Sequence, residues 1–299
     1  MVETAILSAT AEIVCHELGS RLKAVSIAHA AIGMFLTGVR LSSGHAGACS
    51  SAVGGASAAE KAAALVISDR MQGRSVRGIL ENLPAAAGVE RAVSIAALNA
   101  LAQMAAQGRA RDRISHGEEI DALAAVGVQP QETVVVVGAF VPFLRKLRNS
   151  GTKYIVLERD PTLLRAADRA NFRDAGQAAK VVPSADVLII TGAALVNETL
   201  GELVALARPQ SRIAVVGPSI PIIPDAFFEH GIDIVGSVRV TDADEFMNVI
   251  ARGGRGYHLF GKSAVKVAMR KRLSSRLFER LGTPVPSLSR PAEMRSATT

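Results

Sequence analysis

The chain has 299 residues, 49% of them hydrophobic, enough for one large or two ordinary domains with a substantial core. Its two cysteines, Cys15 and Cys49, exclude a disulfide framework and predict a reduced, cytoplasmic setting. The longest uncharged stretch of the first part, residues 24–39, is shorter than the roughly 20 residues that span a bilayer, and the N-terminus lacks the basic segment of a signal peptide. We therefore expect no membrane association.

The net charge of +7 is concentrated at the end of the chain. From Arg255 onward there are ten Lys/Arg against two Asp/Glu, whereas the first 254 residues carry 24 against 25. Such a run binds nucleic acid or anionic lipid, or forms a solvated helix face. Because no nucleic-acid motif or stacking aromatic residues accompany it, the solvated basic helix is favoured and a nucleic-acid partner is not expected.

The first part of the chain has the pattern of a small sheet accompanied by helices. Strands are predicted at residues 22–27, 34–41 and 46–53, and helices at 3–18, 58–71, 75–82 and 89–107. After a short helix at 120–126, the sequence Gly127-Val128-Gln129-Pro130 marks a boundary. We assign residues 1–127 to an α+β domain.

The second part alternates strands and helices, which predicts a doubly wound parallel sheet. Strands are predicted at 133–137, 154–157, 187–190, 212–216 and 233–240, and helices at 142–149, 161–170, 198–207 and 242–251. The fold class is therefore α/β, with a Rossmann-like domain at 128–260. A basic C-terminal helix and a frayed tail are predicted for 261–299.

Glycines and polar residues recur where these strands end, and ligands of open α/β sheets bind at the carboxyl ends of the strands. The candidate ligand-binding residues of this domain share that position: Gly138, Phe140, Glu158, Thr191, Gly192, Asn197, Thr199, Gly217, Ser219 and Asp242. The glycine fingerprint of dinucleotide sites is absent, since Val141-Pro142 stands where later glycines belong. An acid at the end of the second strand, here Glu158, accepts hydrogen bonds from ribose hydroxyls in such folds.

Each of these residues also has a purely structural interpretation. Glu158 could pair with a neighbouring arginine at the surface, and Asn197 could cap the helix that follows it. Asp242 and Glu245 match the capping pattern D-x-x-E, which we favour over catalysis. Ser219 has no histidine close in sequence and lacks the G-x-S-x-G elbow, so a serine hydrolase is disfavoured.

In the first domain, His45 and Cys49 are residues of metal-ligand type, four positions apart in a glycine-rich segment. They make half a metal site at most, and a glycine-rich turn at the domain interface is the favoured interpretation. Gly47 and Asn99 are weaker ligand-binding candidates. Asn99 lies in an apolar helical stripe and needs a hydrogen-bond partner if buried.

With these residues assembled, the chain resembles the DUF364 family, named for heavy-metal chelation and preceded by a DUF4213 domain. The resemblance rests on GVERAVSIAALNAL, VVVVGAFVPFLRKL, VLERDP, ADVLIITGAALVNETL and VVGPSIPIIPDAFFEHGIDIVGSVRVTDAD, within residues 5–260. It implies an enolase-N-terminal-like first domain, a Rossmann-like second domain and a site in the cleft between them. His45 and Cys49 match no metal motif of the family.

Two hypotheses follow. The first is a protein that holds a small anionic or nucleoside-like ligand between its domains, with an adenosylmethionine- or nucleotide-like compound or a metal-chelating metabolite as candidates. The second is a metal-binding or metal-delivery protein that uses His45 and Cys49. The sequence contains no complete nucleophile–base pair, so no reaction is assigned, and homodimerisation is left open.

Overall fold

The computed structural model describes residues 2–51, 57–107 and 121–271, apart from the side chains of 58, 60 and 61. In chain order its helices are α1 (Val2–Leu18), α2 (Ala58–Met71), α3 (Val76–Asn82), α4 (Gly88–Ala106), α5 (Ala122–Val126), α6 (Val141–Asn149), α7 (Ala178–Val181), α8 (Ala193–Val196), α9 (Leu200–Leu206), α10 (Asp225–Glu229) and α11 (Ala243–Ala251). Short 3₁₀ turns connect several of them. None of the helices in these ranges is long and apolar enough to cross a membrane.

The strands form two sheets. The first sheet is an antiparallel meander of β1 (Ile27–Ile32), β2 (Leu36–Leu41) and β3 (Ala46–Ser50). The second contains β4 (Thr133–Val137), β5 (Lys153–Glu158), β6 (Phe172–Asp174), β7 (Val187–Thr191), β8 (Arg212–Val216), β9 (Ile234–Val240) and β10 (Ala264–Arg270).

The second sheet has the order β10-β9-β8-β7-β4-β5-β6, with β10 alone antiparallel to its neighbour. From β4 the chain moves outward through β5 and β6, then returns to the other side of β4 and continues through β7, β8 and β9. The switch point of this doubly wound sheet therefore lies between β4 and β7, where a ligand crevice is expected. The predicted α/β class and Rossmann-like parallel sheet are confirmed, whereas the enolase comparison for the first domain remains a prediction.

The parallel strands are buried on both faces of the sheet. Val134 and Val136 of β4 belong to an apolar cluster on the α5 and α6 side of the sheet, while Val135 belongs to the cluster on the opposite side. Fully buried parallel strands are rich in β-branched residues on both faces, as β4 is. The cluster that contains Val135 continues into the first domain, so the two domains share one apolar core.

Two predicted elements of the second part are corrected. The helix expected at 161–170 is two 3₁₀ turns, because the buried Asp168 accepts hydrogen bonds from Tyr154 and Arg148 and so fixes this segment from outside. The basic helix expected from residue 261 is instead, over its described part, the strand β10, in which Val265, Val267 and Met269 alternate with other residues. The remainder of that predicted helix and tail, 272–299, lies outside the described residues.

The first predicted strand is wrong and one helix boundary changes. The strand predicted at 22–27 shares only Ile27 with β1, and Leu22 lies in a 3₁₀ turn that ends at Ala24; the alanine-rich sequence of β1 has too weak an alternation to predict a strand there. The helix expected at 198–207 begins only at Leu200, since Glu198 has a φ of 58° that no helix allows.

The alanine-rich helix α4 is the centre of the first domain and is buried around nearly its whole circumference. It lies directly on β3: a Cβ at Gly47 would stand 2.4 Å from the Ala100 nitrogen and 2.5 Å from the Ala96 oxygen. Only glycine permits this approach. Gly47, a predicted ligand residue, therefore serves helix–strand packing in the structure.

Two amide side chains on α4 connect the sheets. Asn99 donates to the carbonyls of Ala48 (2.7 Å) and Pro218 (3.1 Å), and Gln103 donates to Ala46 (2.8 Å) and accepts from the Val240 nitrogen (2.7 Å). Because β3 is an edge strand, these amides satisfy its free carbonyls, and they bind it to the carboxyl ends of β8 and β9. We call Asn99 and Gln103 the amide bridge.

The start of the chain forms a second connection. Glu3 is almost fully buried and accepts a hydrogen bond of 2.6 Å from the Gly201 nitrogen in the first turn of α9. A carboxylate at a helix start satisfies a free amide and interacts favourably with the helix dipole. An acid of the first helix thus caps a helix of the second domain.

Replacing Asn99 by leucine should lower the free energy of unfolding by about 2–3 kcal/mol, because two buried carbonyls lose their donor. Chemical denaturation measures this loss. Asn248→Leu, at an exposed position of α11, is the matched control and should stay within about 0.5 kcal/mol of the parent. Equal stability of the two variants would show that the amide bridge contributes nothing.

Candidate functional site

A cavity of about 730 Å³ opens at the switch point of the second sheet. It lies at the carboxyl ends of β4, β5, β6 and β7 and is bounded by α8 and α9. Its polar and glycine lining consists of Gly138, Glu158, Arg159, Asp174, Gly176, Thr191, Asn197, Thr199, Glu202 and Arg255. Five of these, Gly138, Glu158, Thr191, Asn197 and Thr199, are predicted site residues.

Gly138 and Thr191 face each other across the switch point. Gly138 has a φ of 101°, in the left-handed region, and a Cβ there would stand 3.1 Å from Thr191 Cβ. The glycine therefore keeps backbone exposed in a narrow part of the cavity. Thr191 accepts a hydrogen bond of 3.3 Å from the Ala193 nitrogen at the start of α8.

Glu158 at the end of β5 has its carboxylate held by backbone amides. One oxygen accepts from the Ala139 nitrogen (2.9 Å), and the other accepts from Arg159 (2.7 Å) and Asp160 (3.3 Å). These bonds join the turn after β4 to the turn after β5. Both oxygens keep acceptor capacity, because a carboxylate offers about four lone-pair positions.

The loop between α8 and α9 supplies Asn197 and Thr199 to the cavity wall. The predicted role of Asn197 as the N-cap of the following helix is wrong. Asn197 is the C-terminal cap of α8, and Thr199 occupies the N-cap position of α9. Between them Glu198 takes a φ of 58°, which is costly for a residue with a side chain. Its carboxylate lies 3.2 Å from a guanidinium nitrogen of Arg91, a buried residue of α4. This ion pair from the first domain holds the loop.

Phe35 and Arg255 also line the cavity, and no motif of the sequence marks either residue as part of a site. Phe35 lies in the β1–β2 hairpin of the first domain, and the Arg255 guanidinium stands 4.2 Å from its ring centre. Arg255 begins the basic run that was interpreted as a solvated face. Asp174 was missed for another reason: the three-residue β6 is too short to give a sequence pattern.

The turn after β8 is closed rather than open. Ser219 is fully buried, and its hydroxyl accepts from the Ser50 nitrogen (2.8 Å) and lies 3.0 Å from the Ser50 hydroxyl. Gly217 donates to the carbonyl of Gly236, and a Cβ at Gly192 would stand 3.1 Å from Ile220 Cδ1. Ser219 therefore contacts the first domain, as Asn99 does from the other side, whereas Gly192 and Gly217 pack against residues of the second domain.

Two further predicted residues lie outside the cavity lining. Phe140 precedes α6 and stacks on Phe143, with ring centres 5.3 Å apart. Asp242 caps α11, accepting from the nitrogens of Asp244 (3.1 Å) and Glu245 (3.0 Å), so its predicted capping role is confirmed.

The predicted metal ligands have different surroundings. Cys49 is fully buried in the shared apolar core, and burial raises the pKa of its thiol to about 12. His45 is half-buried, with Nδ1 3.1 Å from the Ser43 hydroxyl. Within residues 2–51, 57–107 and 121–271, no three His, Cys, Asp or Glu side chains are grouped so as to hold a metal ion. Cys49 has no exposed surface and lies among apolar side chains, so His45 and Cys49 do not by themselves fit a metal centre.

The fold and cavity define a two-domain α/β protein with a small-molecule-sized pocket at a Rossmann-type switch point. Residues 121–269 match the DUF364 family and residues 15–102 match DUF4213, both described as "Putative heavy-metal chelation". The chain belongs to the DUF364 family.

Three relatives of this chain are described as uncharacterised or of unknown function. An uncharacterised protein of Methanocaldococcus jannaschii is 28% identical over 166 residues, which cover 52% of this chain and 57% of that relative. A DUF364 protein of unknown function from Pyrococcus horikoshii has a TM-score of 0.68 at 16% identity, covering 91% of this chain and all of its own. One from Desulfitobacterium hafniense has a TM-score of 0.65 at 20% identity, covering 88% and 99%. At these identities the structural matches establish the fold alone.

Glycine at position 198 should be tolerated better than alanine. Both changes remove the ion pair with Arg91, but Glu198→Gly should be about 1 kcal/mol more stable than Glu198→Ala, because glycine adopts positive φ without strain. Chemical denaturation measures the difference. At Glu229, in helix α10, the same two substitutions should rank in the opposite order. Identical stability of the two position-198 variants would contradict a left-handed Glu198.

The Cys49 thiol should resist modification in the folded protein. A colourimetric disulfide reagent at pH 7.5 should titrate Cys49 only after denaturation, because the thiol is both buried and protonated. The half-buried Cys15 is the internal comparison, and a Cys15→Ser variant isolates the signal of Cys49. Rapid labelling of that variant under native conditions would disprove the buried thiol.

Proposed function

We propose that this protein binds a small nucleoside-like or anionic compound in the switch-point cavity, with Glu158 accepting hydrogen bonds from ligand hydroxyls. The observation that carries the proposal is the position of Glu158: a carboxylate at the end of the second parallel strand, in the lining of the cavity. In Rossmann-type sites an acid at this position binds the ribose.

The surrounding residues support a ligand of this kind. A volume of about 730 Å³ lies within the usual range for small-molecule sites. Gly138 lets a ligand approach the backbone, and Thr191, Asn197 and Thr199 offer hydroxyl and amide groups for orientation. The cavity lies mainly in the second domain, with Phe35 as the contribution of the first. An adenosylmethionine- or nucleotide-like compound is the candidate ligand.

The alternative of direct metal binding through His45 and Cys49 has less support. The Cys49 thiol is buried and protonated, and neither residue lines the cavity. The description of the family as metal-chelating is compatible with a ligand that is itself a chelating metabolite. Elemental analysis of the full chain purified without chelator separates the two ideas, since stoichiometric metal lost in Cys49→Ala would favour the alternative.

Glu158→Gln should weaken nucleoside binding about tenfold, because a hydrogen bond to a charged acceptor is worth about 1.5–3 kcal/mol. Isothermal titration with adenosine, AMP and S-adenosylmethionine measures this effect. Asn197→Ala should lower the affinity for the same ligand without changing the backbone hydrogen bonds that Glu158 accepts. Glu229→Gln, an exposed acid outside the cavity, is the control with the same charge change and should bind like the parent.

Thermal unfolding of each variant without ligand shows whether the fold is kept. If none of the three compounds binds the parent protein, or if Glu158→Gln and Asn197→Ala bind as tightly as the parent, the proposed site is wrong.

A further inference from the structure

The charged groups that line the cavity differ in their partners. The carboxylate of Glu158 accepts from three backbone amides and keeps further acceptor capacity, and Asp174 accepts a hydrogen bond of 2.8 Å from the Gly176 nitrogen. By contrast, Arg159 and Arg255 form no ion pair within the described part of the chain. Both of these cationic side chains line the cavity.

Arg255 is half-buried and lies over an aromatic ring, whereas Arg159 is exposed. Its guanidinium stands 4.2 Å from the centre of the Phe35 ring. All five N–H donors of a guanidinium lie in its plane, so a ring beside its central carbon leaves donors that point away from the ring. This arrangement suits the two oxygens of a carboxylate or phosphate.

Both partners of the stack are fixed at the end of α11. A Cβ at Gly33, in the turn before Phe35, would stand 2.4 Å from the Ile250 oxygen, so the hairpin lies directly on the last turn of that helix. The same helix leads into Arg255, and a Cβ at Gly254 would stand 2.6 Å from the Val249 oxygen. Two close glycine contacts thus hold the aromatic ring and the cation in register before any ligand binds.

We propose that Arg255 binds an anionic group of the ligand, either a carboxylate or a phosphate. The binding position is the cavity wall where Arg255, just after α11, lies beside Phe35 of the β1–β2 hairpin. The inference rests on the proposed function for the location of the ligand, and it adds the chemical group that is recognised. The ligand then has two parts: a hydroxylated part at Glu158 and an acid at Arg255.

Isothermal titration of the full chain tests this with pyrophosphate and succinate as separate probes. The parent protein should bind at least one of them, and Arg255→Gln should bind it at least about tenfold more weakly. Pyrophosphate binding alone identifies a phosphate, and succinate binding alone a carboxylate. Arg255→Lys should also lose most of the affinity, because an ammonium group cannot form the two parallel bonds.

Arg252→Gln is the matched control, since it removes the same charge from an exposed position three residues earlier, at the end of α11. It should bind like the parent. Phe35→Leu keeps the guanidinium but removes the ring, and it should reduce affinity by a smaller factor than Arg255→Gln. If neither anion binds, or if Arg255→Gln and Arg252→Gln behave alike, the inference is overturned.

The nucleoside titrations separate this inference from the proposed function. Adenosine is neutral and tests the site at Glu158, whereas AMP adds the anion and should bind more tightly in the parent but not in Arg255→Gln. Adenosine binding that depends on Glu158, without any anion effect, would leave the function standing and overturn the inference. If pyrophosphate or succinate binds in a way that depends on Arg255 and no nucleoside binds, the anion site at Arg255 stands and the proposed nucleoside site at Glu158 is wrong.

Discussion

The architecture depends on the amide bridge between the two sheets. Asn99 and Gln103 lie one helical turn apart on α4, and each satisfies a carbonyl of the edge strand β3 while contacting the end of a strand in the second sheet. A buried edge strand without these donors would leave its carbonyls unsatisfied, at a cost of about 1–3 kcal/mol for each. The bridge therefore holds β3 against the ends of β8 and β9, beside the apolar cluster that both domains share.

This constraint divides the predicted ligand crevice into two halves. Around β8, Ser219 bonds to Ser50 and the turn is sealed against the first domain. Around β4, β5 and β7 the strand ends stay open, and among the described residues of the first domain Phe35, in the β1–β2 hairpin, lines the cavity. The general rule that ligands bind at the carboxyl ends of parallel strands thus locates the edge of the sheet, and the packing of the other domain selects the part of that edge that is accessible.

The sequence predicts an element correctly where the residues of that element alone determine its structure. The β-branched run from Thr133 to Val137 reads as a buried strand, and its boundaries agree with the structure. In the C-terminal segment the basic residues Lys262, Lys266 and Arg270 recur every four positions, as on a helix, while the apolar residues between them alternate as in a strand. The segment forms a strand because it pairs with β9, and its own residues do not show that this partner is available.

The candidate site shows the same limit. Glu158 and Gly138 could be located from the sequence because each follows a recognisable strand. The shape of the loop at Glu198 could not, since it depends on Arg91, which is 107 positions earlier and buried in another domain. The stack of Arg255 on Phe35 likewise joins segments that share no motif.

The cap that Glu3 provides for α9 has a consequence for biosynthesis. Donor and acceptor are separated by 198 positions, so α1 lacks this partner until α9 has also been translated. Contacts of such long range make folding slow, because a large loop must close before they form. The Glu3 carboxylate, and the part of α1 that packs on α9 and α10, would therefore stay exposed until then, and a chaperone can act in that interval.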